Sequence, residues 1–340
     1  MENQLCQLIE PYRCVSVIGM CKNAGKTTVL NQIIRESARV QKRLALTSIG
    51  RDGEDKDLVT GTKKPGIFIP EGTLVATASE LVTRHCDVTR EILGTTGMFT
   101  PMGEVVIFRA RSGGNVQLAG PSMTTQLASV REEFFRMGAD LVLIDGALSR
   151  KSLCSRQVTE ATVLCTGASY HRNIHTVVED TAYQCRILTL PEVTTPQLQN
   201  MVDTGSRDAV LFTESDVVTL PTGTSVEEAL RKYRPHTVFF GGALTDHLIK
   251  PLIMSAVPLQ GTTLVVRDAS KILLKPEIFE KLLRRGVELQ VLSSVNLVAV
   301  TVNPFSAYGM HFDAKQLLDK MRAQTDLPVI NVMEDSVWIP

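Results

Sequence analysis

The chain has 340 residues, with 36 basic side chains against 36 acidic ones and so no formal net charge. That length suits one large domain or two of ordinary size, with cores that need no disulfide or metal. The charge balance excludes a generally basic, phosphate-coating nucleic-acid binder, and the longest apolar runs are strand-length, too short to span a bilayer as a helix. The first residues, Met1-Glu2-Asn3-Gln4-Leu5, have neither the basic start nor the apolar stretch of a signal peptide. Seven cysteines, an odd number with no CxxC pair, are expected as reduced thiols in a cytoplasmic chain and argue against structural zinc.

In chain order, apolar runs alternate with amphipathic stretches, which predicts an α/β fold with a mostly parallel sheet. Arg13 to Ile18 reads as a first strand, followed by a glycine-bearing loop and a helix from about Lys26 to Val40, whose Val29, Leu30, Ile33 and Ile34 have helical spacing. Arg43 to Ile49 is a second strand, and Gly66 to Ala78 is extended but interrupted by Pro70. Ser79 to Leu93 reads as a helix ending at Gly94, and Glu104 to Ala119 as a hairpin turning at Ser112-Gly113-Gly114-Asn115. Met123, Leu127, Val130, Phe134 and Met137 form a helical stripe stopped by Gly138. The continuous apolar run Ala139 to Ile144 suits the buried centre of a parallel sheet and leads into Asp145-Gly146.

Ala161 to Thr166 is the next strand, followed by a helix from about Arg172 to Cys185, and Pro191 to Gln199 reads as a linker. Beyond it, strands are expected at Ala209 to Phe212, Thr237 to Phe240, Thr263 to Val266, Leu289 to Leu292, Val298 to Val302 and Val329 to Val332. Helices are expected at Ser225 to Tyr233, Asp246 to Ser255, Pro276 to Arg285 and Asp313 to Ala323. The division that follows is a nucleotide-binding domain over 1–195 and a second α/β region over 196–340 that faces a partner or substrate. The second region is either a separate domain or an extension of the first sheet.

The most informative stretch runs from Val15 to Thr28. A strand, a loop, Gly25-Lys26-Thr27 and a helix occur in the order of a P-loop (Walker A). The strand delivers the loop to the sheet edge, where backbone N–H groups and the helix N-terminus face an anion. Gly25 lets the backbone approach phosphate, Lys26 reaches the β- and γ-phosphates, and Thr27 offers its hydroxyl to Mg²⁺. Asn23, Ala24 and Thr28 complete the cradle. The pattern departs at its first glycine, which stands at Gly19 where the spacing asks for Met20. Lys22, inside the loop, is either a second phosphate contact or a solvated lysine.

A carboxylate must help to hold the metal. Asp145 ends an apolar strand at the carboxyl edge of the sheet, where α/β ligand sites form; a turn aspartate is the alternative. Asp52 or Glu54, in Arg51-Asp52-Gly53-Glu54 after the second strand, would position the attacking water, unless this is simply a solvated acidic loop. Arg51 and Arg150 are candidate phosphate contacts. His171 and His175 are four apart, but no acidic residue completes an HExxH metal motif, and helix packing is the plainer reading. Asn303-Pro304 reads first as a strand-ending turn and second as an amide for a purine edge. The guanine motif is absent, since Thr62-Lys63-Lys64-Pro65 lacks its aspartate. ATP is therefore the expected nucleotide, with GTP left open.

Val17-Ile18-Gly19, Asn23 to Thr28 and Leu143-Ile144-Asp145-Gly146-Ala147 resemble P-loop NTPases of the dethiobiotin synthetase and molybdopterin-guanine-dinucleotide accessory type over roughly the first ~200 residues. Five longer strings are more closely similar to the P-loop subunits of lysine 5,6-aminomutase reactivases: Gly19 to Thr28, Ser48 to Glu54, Pro70 to Ala78, Leu143 to Ala147, and Val302-Asn303-Pro304-Phe305-Ser306. That resemblance implies a Mg²⁺-dependent ATPase. Beside a second, mismatch-repair-like ATPase subunit, it would reactivate an adenosylcobalamin- and pyridoxal-phosphate-dependent aminomutase by exchanging damaged cobalamin. Lys22 resembles the extra loop lysine of deviant P-loops, which contacts phosphate across a dimer, so a homodimer is one expected assembly. From the residues alone, an ATP-dependent small-molecule kinase or ligase and a nucleotide-binding module that never hydrolyses remain the rival readings.

Overall fold

The computed structural model describes residues 4–49, 66–146, 158–195, 198, 208–221 and 223–333. After a short helix α1 (Gln4–Ile9), strand β1 (Cys14–Gly19) leads through a loop into α2 (Lys26–Arg39) and then β2 (Leu44–Ser48). There follow β3 (Ile67–Ile69), β4 (Leu74–Ala78), α3 (Ser79–Arg84), β5 (Arg90–Thr100), β6 (Gly103–Ala110) and β7 (Gly114–Val116). Next come α4 (Thr124–Arg136), β8 (Leu141–Asp145), β9 (Ala161–Gly167) and α5 (Ile174–Leu188). The later part of the chain adds β10 (Ala209–Phe212), β11 (Val217–Leu220), α6 (Val226–Tyr233), β12 (Thr237–Phe240), β13 (Leu244–Thr245) and α7 (Asp246–Met254). It ends with β14 (Thr263–Asp268), β15 (Ile272–Leu273), α8 (Pro276–Arg284), β16 (Glu288–Ser293), β17 (Leu297–Asn303), α9 (Ala314–Arg322) and β18 (Val329–Asn331). The fold is α/β, as the alternation of patterns predicts.

The chain divides into two compact units. The first comprises residues 1–185 together with 296–340, and the second is 186–295. The first is built on a nine-stranded sheet in the order β18-β17-β9-β1-β8-β2-β4-β6-β5. Its first seven strands run parallel, and β6 is antiparallel to both β4 and β5. Successive side chains in the central strands alternate between two apolar layers. Val15, Val17, Leu44, Leu46, Leu141 and Leu143 pack with Val29, Leu30, Ile33 and Ile34 of α2. Cys14, Ala45, Val142 and Ile144 pack with Leu127, Val130 and Phe134 of α4. Burial on both faces is why these strands read as unbroken apolar runs.

The second unit has a five-stranded sheet, β11-β10-β12-β14-β16, in which β12, β14 and β16 run parallel and β10 is antiparallel to β11 and β12. Val210, Phe212, Phe239, Val265 and Leu292 form an apolar core with Val193 and Leu198.

Three expectations are corrected here. The division is not 1–195 and 196–340: after residue 295 the chain rejoins the first sheet, because β17 pairs with β9 and β18 with β17. The helix expected over 79–93 stops at Arg84, and Arg90 to Thr100 is a strand instead. Ladder pairing to β6, with Ile92 opposite Phe108 and Thr95 opposite Val106, overrides the local helical pattern. The hairpin is not at 112–115. It joins β5 to β6 at Thr100 and Gly103, whereas β7 pairs with β3. Gly114 permits that departure, since a Cβ there would lie 2.8 Å from the Asp87 carbonyl oxygen. Among the described residues, no helix is long and apolar enough to cross a membrane.

Candidate functional site

The carboxyl edge of the first sheet collects most of the candidate residues. β1 ends at Gly19, and the Met20 N–H still bonds the Cys165 carbonyl of β9 at 2.9 Å. The chain then turns through two left-handed residues, Asn23 (φ 62°) and Gly25 (φ 99°). Gly25 is the N-cap of α2 and brings no side-chain acceptor to the helix end. First-turn N–H groups have no intrahelical partner, and the helix dipole places partial positive charge there. The N–H groups of Lys26, Thr27 and Thr28 therefore form a ready seat for an anion. Ala24 is buried, Lys22 is exposed, and Asn23, Thr27 and Thr28 are partly exposed at the loop and first turn.

The structure gives a reason for the displaced glycine. Lys26 curls back over the end of β1. A Cβ on Gly19 would lie 3.1 Å from its Cγ and 3.2 Å from its Cδ and Nζ. Gly19 therefore makes room for the lysine side chain, a requirement that motif spacing alone does not express. On its other side the loop touches β17: the Cβ position of Gly25 lies 3.3 Å from Cβ of Asn303.

Asp145 ends β8, next to β1, in register with Val17. Its backbone is held from both sides, as Ile49 N–H donates to its carbonyl at 2.8 Å and Gly146 N–H donates to the Val17 carbonyl at 3.0 Å. Its Oδ1 is shielded from solvent. Lys26 and Asp145 both act electrostatically on the buried Cys165 thiol of β9, where burial dominates and pushes the pKa up to about 12. Burial likewise pushes the loop thiol of Cys21 up to about 11, against an opposing pull from Lys26. Asp52 and Glu54, with Arg51 and Arg150, lie outside the described residues. Ser48, the last residue of β2, is in register with Asp145.

An ammonium, a hydroxyl and a carboxylate around an anion seat suit a phosphate ester with Mg²⁺. This ion takes hard oxygen donors and commonly uses only one or two protein ligands plus phosphate. No group of three His, Cys, Asp or Glu among the described residues is placed to hold a metal by itself. His171 precedes α5 and His175 lies in its first turn; both side chains are exposed, so the expected packing of the pair against the fold is not seen, and His171 Nδ1 accepts from the Asn173 N–H at 3.0 Å.

Two contributions escaped the motif reading. Tyr170, after β9, donates from its hydroxyl to Asp180 Oδ2 at 2.8 Å. Burial first, and then Asp180 and Cys21, push its pKa up to about 12, which places it close to the loop. Ser48 Oγ accepts from Gly120 N–H at 2.9 Å, laying the segment before α4 across the edge beside Asp145. Neither has a local signal, because each depends on strands far apart in sequence. No known family model matches the chain, and no curated protein sequence does.

Proposed function

We propose that the chain is a P-loop nucleoside triphosphatase that binds Mg²⁺-ATP at the Met20–Thr28 loop. In this reading it serves as an accessory factor that reactivates a partner enzyme. The observation that carries the nucleotide reading is Lys26 lying back over Gly19 at the uncapped start of α2, with Asp145 on the adjacent strand in register with Val17. The N–H groups of Gly25 to Thr28 and the Lys26 ammonium hold and orient the phosphates, while Thr27 and Asp145 hold the metal. Bound Mg²⁺ neutralises charge on the β- and γ-phosphates. Asp52 or Glu54 orients a water for in-line attack. The partner comes from the resemblance in the five strings quoted above, which points to an adenosylcobalamin-dependent lysine 5,6-aminomutase together with a second ATPase subunit.

The test is calorimetric titration with ATP and GTP, with and without Mg²⁺, on wild type, Lys26→Ala and Asp145→Asn. Lys26→Ala is expected to weaken ATP binding at least about tenfold, the loss of one charge-assisted contact. Asp145→Asn is expected to remove most of the Mg²⁺ dependence. A wild-type protein that is folded and binds neither nucleotide would sink the reading. Turnover stimulated by the aminomutase, and by no metabolite, separates the accessory role from a kinase or ligase.

A further inference from the structure

β5 closes one end of the nine-stranded sheet, and among the described residues it pairs on one side only, with β6. An open strand edge presents a row of backbone donors and acceptors to any matching strand, and natural edges are guarded by charge, proline or bulges. Residues 92–100, Ile-Leu-Gly-Thr-Thr-Gly-Met-Phe-Thr, carry neither charge nor proline. The two charged residues of β5 are engaged within their own copy. The Arg90 guanidinium donates to the Cys86 and Val88 carbonyls, and Glu91 pairs with Arg109 and Arg111. Gly94 and Gly97 keep the strand slim, since among the described residues nothing lies within 4 Å of a Cβ on either.

Bulges are present, and they give this edge a symmetry. Ile92 is opposite Phe108, Thr95 opposite Val106 and Phe99 opposite Glu104. Those positions on β6 are two residues apart, so all three side chains share one face and Thr95 lies midway between the other two. In an unbroken strand Ile92 and Phe99, seven apart, would point to opposite faces. The register shifts after Ile92 and after Thr95 remove that mismatch. Ile92 is 53% exposed and Phe99 75%. Leu93 and Met98 pack instead on the layer that holds Val105 and Ile107.

We propose that β5 is a self-association edge, pairing antiparallel with β5 of a second copy of this chain about a two-fold axis at Thr95. A two-fold contact must be self-complementary. About this axis Thr95 meets its own counterpart, and Ile92 of each copy lies opposite Phe99 of the other, an aliphatic–aromatic pair formed twice on one face. Glu91 falls opposite Thr100, so no like charges meet. The stretch from Glu91 to Thr100 runs along Gly103 to Arg109 of β6. Such an edge is about 24 Å long and, on a sheet about 10 Å thick, offers on the order of 250 Å² per copy. The Phe99 ring adds on the order of 150 Å². Two copies then bury on the order of 800 Å², below the ~1,000 Å² that a stable interface clears. The dimer is therefore weak and concentration-dependent, with the main-chain ladder supplying much of its attraction. β8, β2, β4 and β6 stand between β5 and β1, so the phosphate loop takes no part in this contact and the proposal is independent of the nucleotide reading.

The test is sedimentation equilibrium of the full-length protein from low micromolar to millimolar concentration, where wild type is expected to pass reversibly from monomer to dimer. Ile92→Lys combined with Phe99→Lys sets lysine opposite lysine twice and is expected to weaken association at least about tenfold. Ile92→Lys combined with Phe99→Glu sets lysine opposite glutamate. It is expected to associate at least about tenfold more tightly than the double-lysine variant and to lose that recovery in high salt. Both side chains are exposed, so each variant is expected to melt as wild type does. A wild type that stays monomeric at millimolar concentration overturns the proposal and leaves the edge to a strand of a different protein. A dimer that the double-lysine variant leaves intact, or that Lys22→Ala abolishes, lies on another face and overturns it too. Equal loss in both charged variants overturns the Thr95 axis, because Ile92 and Phe99 are then not opposite each other.

Discussion

At the residue scale, the edge beside Asp145 depends on close backbone approach. A Cβ on Gly120 would lie 2.0 Å from the Ser48 carbonyl oxygen, whereas nothing lies within 4 Å of one on Gly94. Gly120→Ala is expected to cost about 3 kcal/mol in chemical denaturation, and Gly94→Ala within about 0.5 kcal/mol of zero; equal effects would refute the close approach. Cys21 gives a second test. Nucleophilicity belongs to the thiolate, and burial holds this thiol near a pKa of 11. Alkylation at Cys21, followed by peptide mass spectrometry, is expected to run about a hundredfold slower at pH 8 than for an unperturbed thiol. It should climb about tenfold per pH unit and level off only near pH 11, whereas an unperturbed thiol levels off at about pH 9. Rapid labelling at neutral pH would show instead an activated thiol inside the loop.

At the element scale, the neighbouring interior strands β2 and β8 are locked in register away from the site. Asp140 receives the Arg43 backbone N–H at 2.9 Å and its guanidinium at 2.7 and 3.0 Å, while Asp140 N–H donates to the Arg43 carbonyl at 2.8 Å. The side-chain and backbone bonds from Arg43 hold the Asp140 carboxyl down to about 2. The folded value lies below the ordinary one of about 3.9, so the stabilisation is complete above about pH 4 and lost as pH falls through 2. Asp140→Asn is expected to flatten the melting-temperature profile over that window and to lower stability only slightly at pH 7, since the pair is solvent-exposed. An unchanged acid profile would show that the pair contributes nothing. The register matters because Ser48 and Asp145, at the other end of the same two strands, face each other only while it holds.

At the scale of the whole molecule, the 186–295 unit is inserted between β9 and β17 of the first sheet. It has its own sheet and its own apolar core, so a 186–295 fragment is expected to unfold cooperatively in denaturant. A 196–340 fragment carries β17 and β18 without their partner β9 and is expected to lack a single cooperative transition. The opposite result would restore a boundary near residue 195. Truncation after residue 295 removes Asn303 from beside Gly25 and is expected to weaken ATP binding even where the remaining chain folds.

Hydrophobic periodicity and turn chemistry by themselves determined the α/β class, the buried central strands, the helices other than α1 and the true extent of α3, and the strand–loop–helix order around Gly25-Lys26-Thr27. Those features are set by neighbours a few residues apart, which is the range over which side-chain patterning acts. Only the tertiary structure decided that Arg90 to Thr100 is a strand, since the pairing partner across the hairpin outweighs local preference. It also decided that β7 leaves β6 for β3, that the last segment returns to the first sheet, that Gly19 clears a path for Lys26 and that Asn303 sits against Gly25. Each of these is a contact between residues distant in sequence, and no local pattern encodes which distant backbone will close a ladder or fill the space above a glycine.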